Sequence, residues 1–189
     1  MRAIPNMRVL IPADSTAVSK LTWTIAQQYG PFYMRMARSK VPIVHDESQV
    51  FEIGKGITLR DGSDCTIAAC GITVKFALDA AEQLKQEGVS CRVIDCFTVK
   101  PIDKEILEKA ARETGAIVTC EEHNVLGGFG SAVAEVISET YPVPIKRIGA
   151  QDMFGESARD NEIPDLLEKH GITSVNIANM VKEVRSKKQ

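Results

Sequence analysis

Residues 64–97 read DCTIAACGITVKFALDAAEQLKQEGVSCRVIDCF, and this stretch decides the fold. It begins with a continuous apolar run at 65–71, which is typical of a strand buried on both faces, and ends with a second predicted strand at 90–97. Between them, residues 72–87 carry apolar side chains at helical spacing, on Val74, Leu78, Ala81 and Leu84. Gly88 then occupies the position that commonly ends a helix. The stretch therefore predicts a strand, a helix and a second, parallel strand.

The same alternation continues towards the carboxyl terminus, after a strand and turn predicted over 52–64. The elements predicted there are a helix from Asp103 to about Thr114, a strand over 116–123, a helix over 130–140, a strand over 143–149, and helices over about 160–170 and 173–186. Strands that alternate with helices of this length imply a mostly parallel sheet covered on both faces. We predict an α/β fold with three layers, in which helices cover both faces of one mostly parallel sheet.

Residues 1–40 predict only part of a domain. A helix that Asp14 or Ser15 can cap lies between two short strands, the second over residues 31–38. A strand–helix–strand unit of about 40 residues is marginal as an independent fold. We therefore expect this region to be completed by other polypeptide.

A polar segment separates this region from the rest of the chain. Residues 41–52, VPIVHDESQVFE, mix proline, charge and polar side chains, as linkers do. The sequence therefore predicts a partial domain at 1–40, a linker at 41–52 and a complete domain at 53–189.

The composition excludes several functional classes. Of the 189 residues 44% are apolar and the formal net charge is −2, so no overall field attracts nucleic acid or anionic lipid. No apolar run approaches the roughly 20 residues that cross a bilayer, and the N-terminus lacks the apolar core of a signal peptide. The five cysteines include no Cys-x-x-Cys pair, which favours reduced thiols and a cytoplasmic protein.

The most polar candidate site follows the predicted strand over 116–123. Its last three residues, Glu-Glu-His at 121–123, lie where open α/β sheets usually place ligands. Gly128, Gly130 and Ser131 follow at a predicted helix N-terminus, whose free N–H groups can bind an anion. The alternative is structural: the glycines permit a tight turn, and the carboxylates face water or the helix dipole. We favour the structural interpretation over a catalytic one.

No metal or nucleotide motif accompanies this corner. His123 has no partner at metal-ligand spacing, since His45 and His170 lie far away in the sequence. Val133 occupies the third glycine position of a dinucleotide fingerprint, and the Gly-Lys-Ser/Thr of a phosphate loop is absent.

Two arginines form a second candidate site. Arg35 and Arg38 come at the end of a predicted strand, and a guanidinium can donate two parallel hydrogen bonds to phosphate. Salt bridges between domains explain the same residues equally well. A third pair, Lys100 and Asp103, spans a proline turn and is better explained as a turn followed by a helix cap.

These motifs resemble, in order, the C-terminal part of transketolase. The resemblance rests on RAIPNMRVLIPADSTAVSKL (2–21), GPFYMRMARSKVPI (30–43), FTVKPID (97–103), EEHNVLGGFGS (121–131) and FGESARDNEI (154–163). It implies that residues 1–40 end a pyrimidine-binding domain and that 53–189 form the C-terminal domain. Deoxyxylulose-phosphate synthase and the beta subunit of 2-oxo acid dehydrogenases share this architecture and are the nearest alternatives.

The resemblance also implies a function. Transketolases of the pentose phosphate pathway transfer a two-carbon ketol unit between sugar phosphates, using thiamine diphosphate and a divalent cation. By this resemblance the chain carries no catalytic, cofactor-binding or metal-binding residue, and Arg38 contacts the sugar phosphate, with Arg35 as the second choice. The chain would be inactive without an N-terminal section, as part of a homodimer or heterotetramer. A self-contained, non-catalytic module that binds an anion or a partner is the alternative from another class.

Overall fold

The computed structural model describes residues 1–38 and 40–188. Eight strands and six α-helices follow one another within these residues. The strands are β1 (Arg8–Leu10), β2 (Phe32–Met34), β3 (Ile57–Arg60), β4 (Cys65–Ala69), β5 (Cys91–Asp95), β6 (Thr98–Lys100), β7 (Ile117–Asn124) and β8 (Ile145–Ala150). The helices are α1 (Ser15–Ala26), α2 (Thr73–Gln86), α3 (Lys104–Thr114), α4 (Phe129–Glu139), α5 (Ile163–Lys169) and α6 (Ser174–Arg185), with a 3₁₀ turn at Asp160–Glu162 before α5.

The main sheet has five strands in the order β3-β5-β4-β7-β8. All neighbours are parallel except β3, which runs antiparallel to β5. Side chains of β4 alternate between two cores, because successive residues of a strand point to opposite faces. Ile67 packs in the core with α2 and α6, and Ala68 packs in the core with α3 and α4. The predicted α/β fold with helices on both faces is therefore confirmed.

A second, three-stranded sheet has the order β2-β1-β6. β1 pairs parallel with β2, as its strand–helix–strand pattern predicts, and antiparallel with β6. The sequence carries no signal for β6, because three residues before a proline show no periodicity. The main-chain N–H of Ile11 also donates to the Phe97 carbonyl at 2.7 Å. Residues 1–40 are thus hydrogen-bonded to the region predicted as the C-terminal domain, and the boundaries at 40 and 53 stay predictions.

The predicted helix caps are confirmed. Asp14 caps α1 by accepting from the Ala17 N–H at 2.8 Å. Asp103 caps α3 by accepting from the Ile106 N–H at 3.1 Å, and its other oxygen accepts from Gly56. The turn-and-cap interpretation of residues 100–103 is therefore correct.

Two predicted elements have the wrong length. The strand over 31–38 ends at Met34, so both arginines of the second candidate site lie beyond it. The helix over 160–170 is a 3₁₀ turn followed by a seven-residue α-helix that begins at Ile163. None of the helices within residues 1–38 and 40–188 is long and apolar enough to cross a bilayer.

Candidate functional site

The Glu121 carboxylate lies against the N-terminus of α4. Its Oε2 accepts from the Phe129 N–H at 2.6 Å, and its Oε1 accepts from the Gly130 N–H at 2.8 Å. The side chain is 1% exposed. These N–H groups are two of those that a helix leaves unpaired at its start, where the helix dipole favours negative charge. The chain therefore supplies its own anion to this helix.

The glycines at this corner permit close contact. A Cβ on Gly128 would overlap the Glu121 carboxylate, and a Cβ on Gly130 would lie 2.5 Å from the Thr119 hydroxyl. The Ser131 hydroxyl donates to the Val125 carbonyl at 2.9 Å. An external anion at Gly128, Gly130 and Ser131 would have to displace Glu121, so the structural interpretation of these residues explains their contacts. The sequence left open whether the carboxylates at 121 and 122 face water or the helix dipole, and Glu121 binds the start of the helix that begins eight residues later.

Burial dominates the electrostatics of this corner. It raises the pKa of Glu121, although the Gly130 and Phe129 N–H groups and the nearby His123 and Arg147 oppose the shift. The ring of His123 is half exposed, with Nδ1 4.0 Å from Glu121 Oε2 and 2.9 Å from the Asn124 carbonyl oxygen. The corner thus combines a buried carboxyl group with a half-exposed imidazole. The two groups lie 4.0 Å apart, which is too far for the hydrogen bond of a catalytic pair.

Arg35 and Arg38 make separate contacts. Arg35 Nη1 lies 3.5 Å from Glu122 Oε2. Arg38 Nη2 donates to the Ala158 carbonyl and to Asp160 Oδ1, both at 2.9 Å, and its side chain is 69% exposed. Both arginines therefore bridge to residues of the predicted C-terminal domain, as the salt-bridge interpretation expects. The phosphate role of Arg38 stays a prediction.

A cavity of about 230 Å³ lies beside Arg38. Its charged lining consists of three cations, Arg38, Lys40 and Lys75, and one anion, Glu122. Phe76 and Leu167 form part of its apolar wall. Lys75 also pairs with Asp79 on α2. The cavity has the volume and the charge for a small, anionic, partly apolar ligand.

A buried group that the sequence analysis missed joins three segments. His45 Nδ1 lies 3.1 Å from Asp14 Oδ2, and His45 Nε2 lies 3.1 Å from Asp95 Oδ2. All three side chains are fully buried. Asp14 begins α1, Asp95 ends β5, and His45 belongs to the predicted linker. No local signal marks His45, because its partners lie 31 and 50 residues away in the sequence.

Each member of this Asp14–His45–Asp95 triad has a shifted pKa. Burial raises the pKa of Asp95 to about 6, against the opposing effect of His45. Burial lowers the pKa of His45, but the contacts with Asp95 and Asp14 outweigh it, so the pKa is raised. For Asp14, burial is outweighed by the N–H groups of Ala17, Val44 and His45, and the pKa is lowered. The triad therefore favours a protonated imidazole between two carboxyl groups.

The described part of the chain brings together no cluster of metal-ligating side chains. Within residues 1–38 and 40–188, no group of three or more His, Cys, Asp or Glu side chains is placed to hold a metal ion. The residues present therefore do not fit a metal–diphosphate centre.

Comparisons with known proteins agree with the fold. Residues 54–177 match the family model described as transketolase, C-terminal domain. A 6-deoxy-6-sulfo-D-fructose transketolase subunit from Clostridium sp. (strain MSTE9) is 41% identical over 188 residues, which are 100% of this chain and 58% of that protein. An apulose-4-phosphate transketolase subunit from Phocaeicola vulgatus is 41% identical over 153 residues, 80% of this chain and 49% of that protein.

Two further similarities show how widely this architecture is shared. A 1-deoxy-D-xylulose-5-phosphate synthase from Heliobacterium modesticaldum is 38% identical over 97% of this chain and 28% of its own length. A solved structure titled "Split gene transketolase, inactive beta4 tetramer" superposes with a TM-score of 0.95 at 46% identity, covering 100% of this chain and 61% of that one. The chain spans about half the length of the transketolase subunits it matches. The predicted resemblance is confirmed, and the chain belongs to the transketolase C-terminal domain family.

Proposed function

We propose that this chain is the C-terminal section of a thiamine-diphosphate-dependent transketolase. Its share of the reaction is to contact the anionic end of the sugar substrate through Arg38 and to provide a scaffold. The observation that carries this proposal is the exposed Arg38 guanidinium, which lies beside a cavity that also contains Lys40 and Lys75. Two transketolase relatives are named for sugars that carry a sulfonate or a phosphate. Both groups are oxyanions that a guanidinium can bind through paired hydrogen bonds.

Substrate binding at Arg38 requires a local exchange of partners. A guanidinium binds an oxyanion through one of two pairs of donors, Nε with Nη2 or Nη1 with Nη2. Both pairs include Nη2, and here Nη2 donates to Ala158 and Asp160. The pair with Asp160 is largely exposed, and exposed pairs contribute about 0–1 kcal/mol. A charge-assisted hydrogen bond to a substrate oxyanion is worth about 1.5–3 kcal/mol. The substrate bond is therefore worth more than the exposed Asp160 pair that it replaces.

Arg38→Ala tests this role in the enzyme assembled from both sections. We expect the KM for phosphorylated sugars to rise about ten- to hundredfold, since about 1.5–3 kcal/mol of binding is lost. The KM for a non-phosphorylated ketose should stay unchanged. Arg112→Ala is the matched control, because Arg112 is also exposed and also paired with a carboxylate, Glu108, but lies on α3. Equal losses for both kinds of substrate would remove Arg38 from this role.

The cofactor and its cation belong to a partner section. The chain spans about half of the transketolase subunits it matches, and the superposed structure is titled as a split-gene tetramer. We infer that the partner is an N-terminal transketolase section and that the two assemble as a dimer of pairs or a related oligomer in the cytoplasm. Calorimetry of the chain alone should detect no binding of thiamine diphosphate. Ketol transfer should appear only when the partner section is added, and activity of the isolated chain would contradict the proposal.

A second reaction of the same class is supported by one relative. The Heliobacterium synthase, 38% identical over 97% of this chain, is named for forming 1-deoxy-D-xylulose 5-phosphate. Product analysis of the assembled enzyme distinguishes the two. A transferred two-carbon ketol unit supports transketolase, and a 1-deoxy sugar supports the synthase.

A further inference from the structure

We propose that His45 is a positioning residue for Arg38, because it fastens the segment that carries Arg38 to both parts of the fold. This inference rests on the proposed function, in which Arg38 contacts the substrate oxyanion. His45 itself is fully buried and does not reach the cavity beside Arg38. It acts through the main chain of residues 35–45, of which residue 39 lies outside the described part.

The Arg38 segment is anchored at its two ends. At the first end, the Arg35 N–H donates to the Leu10 carbonyl of β1 at 2.9 Å. At the second end, Asp14 Oδ2 accepts from the N–H groups of Val44 at 2.8 Å and His45 at 2.9 Å. Arg38 therefore lies on a span of about ten residues between a strand and a buried carboxylate. The position of residues 44 and 45 therefore limits the positions that Arg38 can take.

The His45 side chain holds the second anchor in place. Its ring lies between Asp14, at the start of α1, and Asp95, at the end of β5 in the main sheet. Phe51 packs edge-on against the ring, with the ring centres 4.9 Å apart, and itself packs on Phe97. The ring thus lies between the small sheet region and the main sheet, within hydrogen-bond distance of Asp14 and within salt-bridge distance of Asp95. Loss of the ring would remove the contact with Asp95 and leave the main-chain contacts to Asp14. The contacts of Lys20 with the Glu47 and Gln49 carbonyls would also remain.

The protonation state of His45 sets how strong this attachment is. A neutral imidazole has one N–H and can donate to only one carboxylate, whereas an imidazolium donates to both. Asp14 from α1 and Asp95 from β5 are the charged groups that act on the ring, and Phe51 provides an uncharged wall. The pKa of His45 is raised above 6.5. The second contact is therefore fully present below pH 6.5 and is lost as the pH rises through the raised pKa.

Asp95 does not add to this loosening, because its contact with His45 favours the ionised carboxylate, and its pKa is raised by burial and, to a lesser extent, by Asp14. Its pKa is about 6 in the fold against an ordinary value of 3.8, so the stability linked to its protonation is lost as the pH rises through about 6. Asp14 has a lowered pKa, and its contribution is lost only as the pH falls below its ordinary value of 3.8. The triad therefore loosens as the pH rises through the raised pKa of His45. The KM for phosphorylated sugars should rise over the same pH range.

The test uses the enzyme assembled from both sections and the variants His45→Ala, Arg38→Ala and their combination. His45→Ala should raise the KM for a phosphorylated ketose about three- to tenfold, leaving kcat and the KM for a non-phosphorylated ketose unchanged. The double variant should be no worse than Arg38→Ala, because both changes act on one contact. His170→Gln, at the end of α5, is the control and should match the parent enzyme.

If His45→Ala does not fold, Asp95→Asn provides a second test of the same proposal. An asparagine amide can donate to a neutral imidazole, so the bridge persists without a charged ring. The KM of this variant should stay flat over the pH range in which the KM of the parent rises. NMR titration of the three histidine rings in the full chain should show one pKa above 6.5 that falls in Asp95→Asn.

The outcomes separate the two proposals. If Arg38→Ala leaves the KM for phosphorylated sugars unchanged, the proposed function of Arg38 fails. A second outcome is that Arg38→Ala raises that KM and the fold-increases of the two single variants multiply in the double variant. This inference is then overturned and the proposed function stands. A pH-independent KM in the parent enzyme would also overturn the inference.

Discussion

Replacement of Glu121 by alanine should destabilise the fold more than any change at its exposed neighbours. The carboxylate accepts from the Phe129 N–H at 2.6 Å and the Gly130 N–H at 2.8 Å, and its side chain is 1% exposed. Alanine leaves both buried donors without a partner, and each such donor costs about 1–3 kcal/mol. The free energy of unfolding should therefore fall by about 2–6 kcal/mol. That is a large share of the stability of an ordinary domain.

Glu121→Gln should lower the free energy of unfolding by less than Glu121→Ala, and by an amount that depends on pH. The glutamine carbonyl can accept from one of the two donors, so Glu121→Gln should cost about 1–3 kcal/mol near pH 4. Burial raises the pKa of Glu121 above its ordinary 4.5. The stability linked to its protonation is present below pH 4.5 and is lost as the pH rises through the raised pKa. As the pH rises, the parent loses this stability and the glutamine variant does not. The difference between their free energies of unfolding should therefore narrow towards pH 7.

Urea unfolding followed by far-UV circular dichroism measures these differences. Glu122→Gln is the matched control, because Glu122 is the next residue, is partly exposed and pairs with Arg35 at 3.5 Å. Its effect should stay within about 1 kcal/mol, as for other exposed pairs. The reasoning is refuted if Glu121→Ala also stays within about 1 kcal/mol of the parent. A difference between parent and Glu121→Gln that widens towards pH 7 would refute the pKa direction.

Two other predictions concern packing. Gly128→Ala should cost about 1–3 kcal/mol by overpacking, because its Cβ would overlap Glu121. A Tm no lower than that of Gly155→Ala, where the added Cβ meets nothing within 4 Å, would contradict this. All five cysteines are buried, and burial raises the pKa of Cys91 to about 11 and of Cys65 to about 12. A thiol reagent at pH 8 should modify these cysteines slowly in the native chain and quickly in urea. Rapid modification of any cysteine in the native chain would contradict its burial.

Local patterns predicted those parts of the fold whose causes are local. The apolar stripe of α2, the caps Asp14 and Asp103, and the buried strand β4 each depend on residues close together in the sequence. The resemblance to transketolase also rested on contiguous motifs, and the family match over residues 54–177 confirms it. At the candidate site, the sequence favoured a structural corner at residues 121–131, and the contacts of Glu121 are those such a corner would make. The sequence left open whether the carboxylates face water or the helix dipole, because the Glu121 contact depends on how β7 and α4 meet.

The sequence by itself determined the alternation of strands and helices, the ends of the main helices and the family, because helical and strand periods, caps and motifs are properties of neighbouring residues. Only the tertiary structure decided that β6 joins β1, that Glu121 binds the start of α4, and that His45 lies between Asp14 and Asp95. These contacts join residues distant in the sequence. Their energies come from burial and from partners that meet only when the chain has folded, so no local pattern records them.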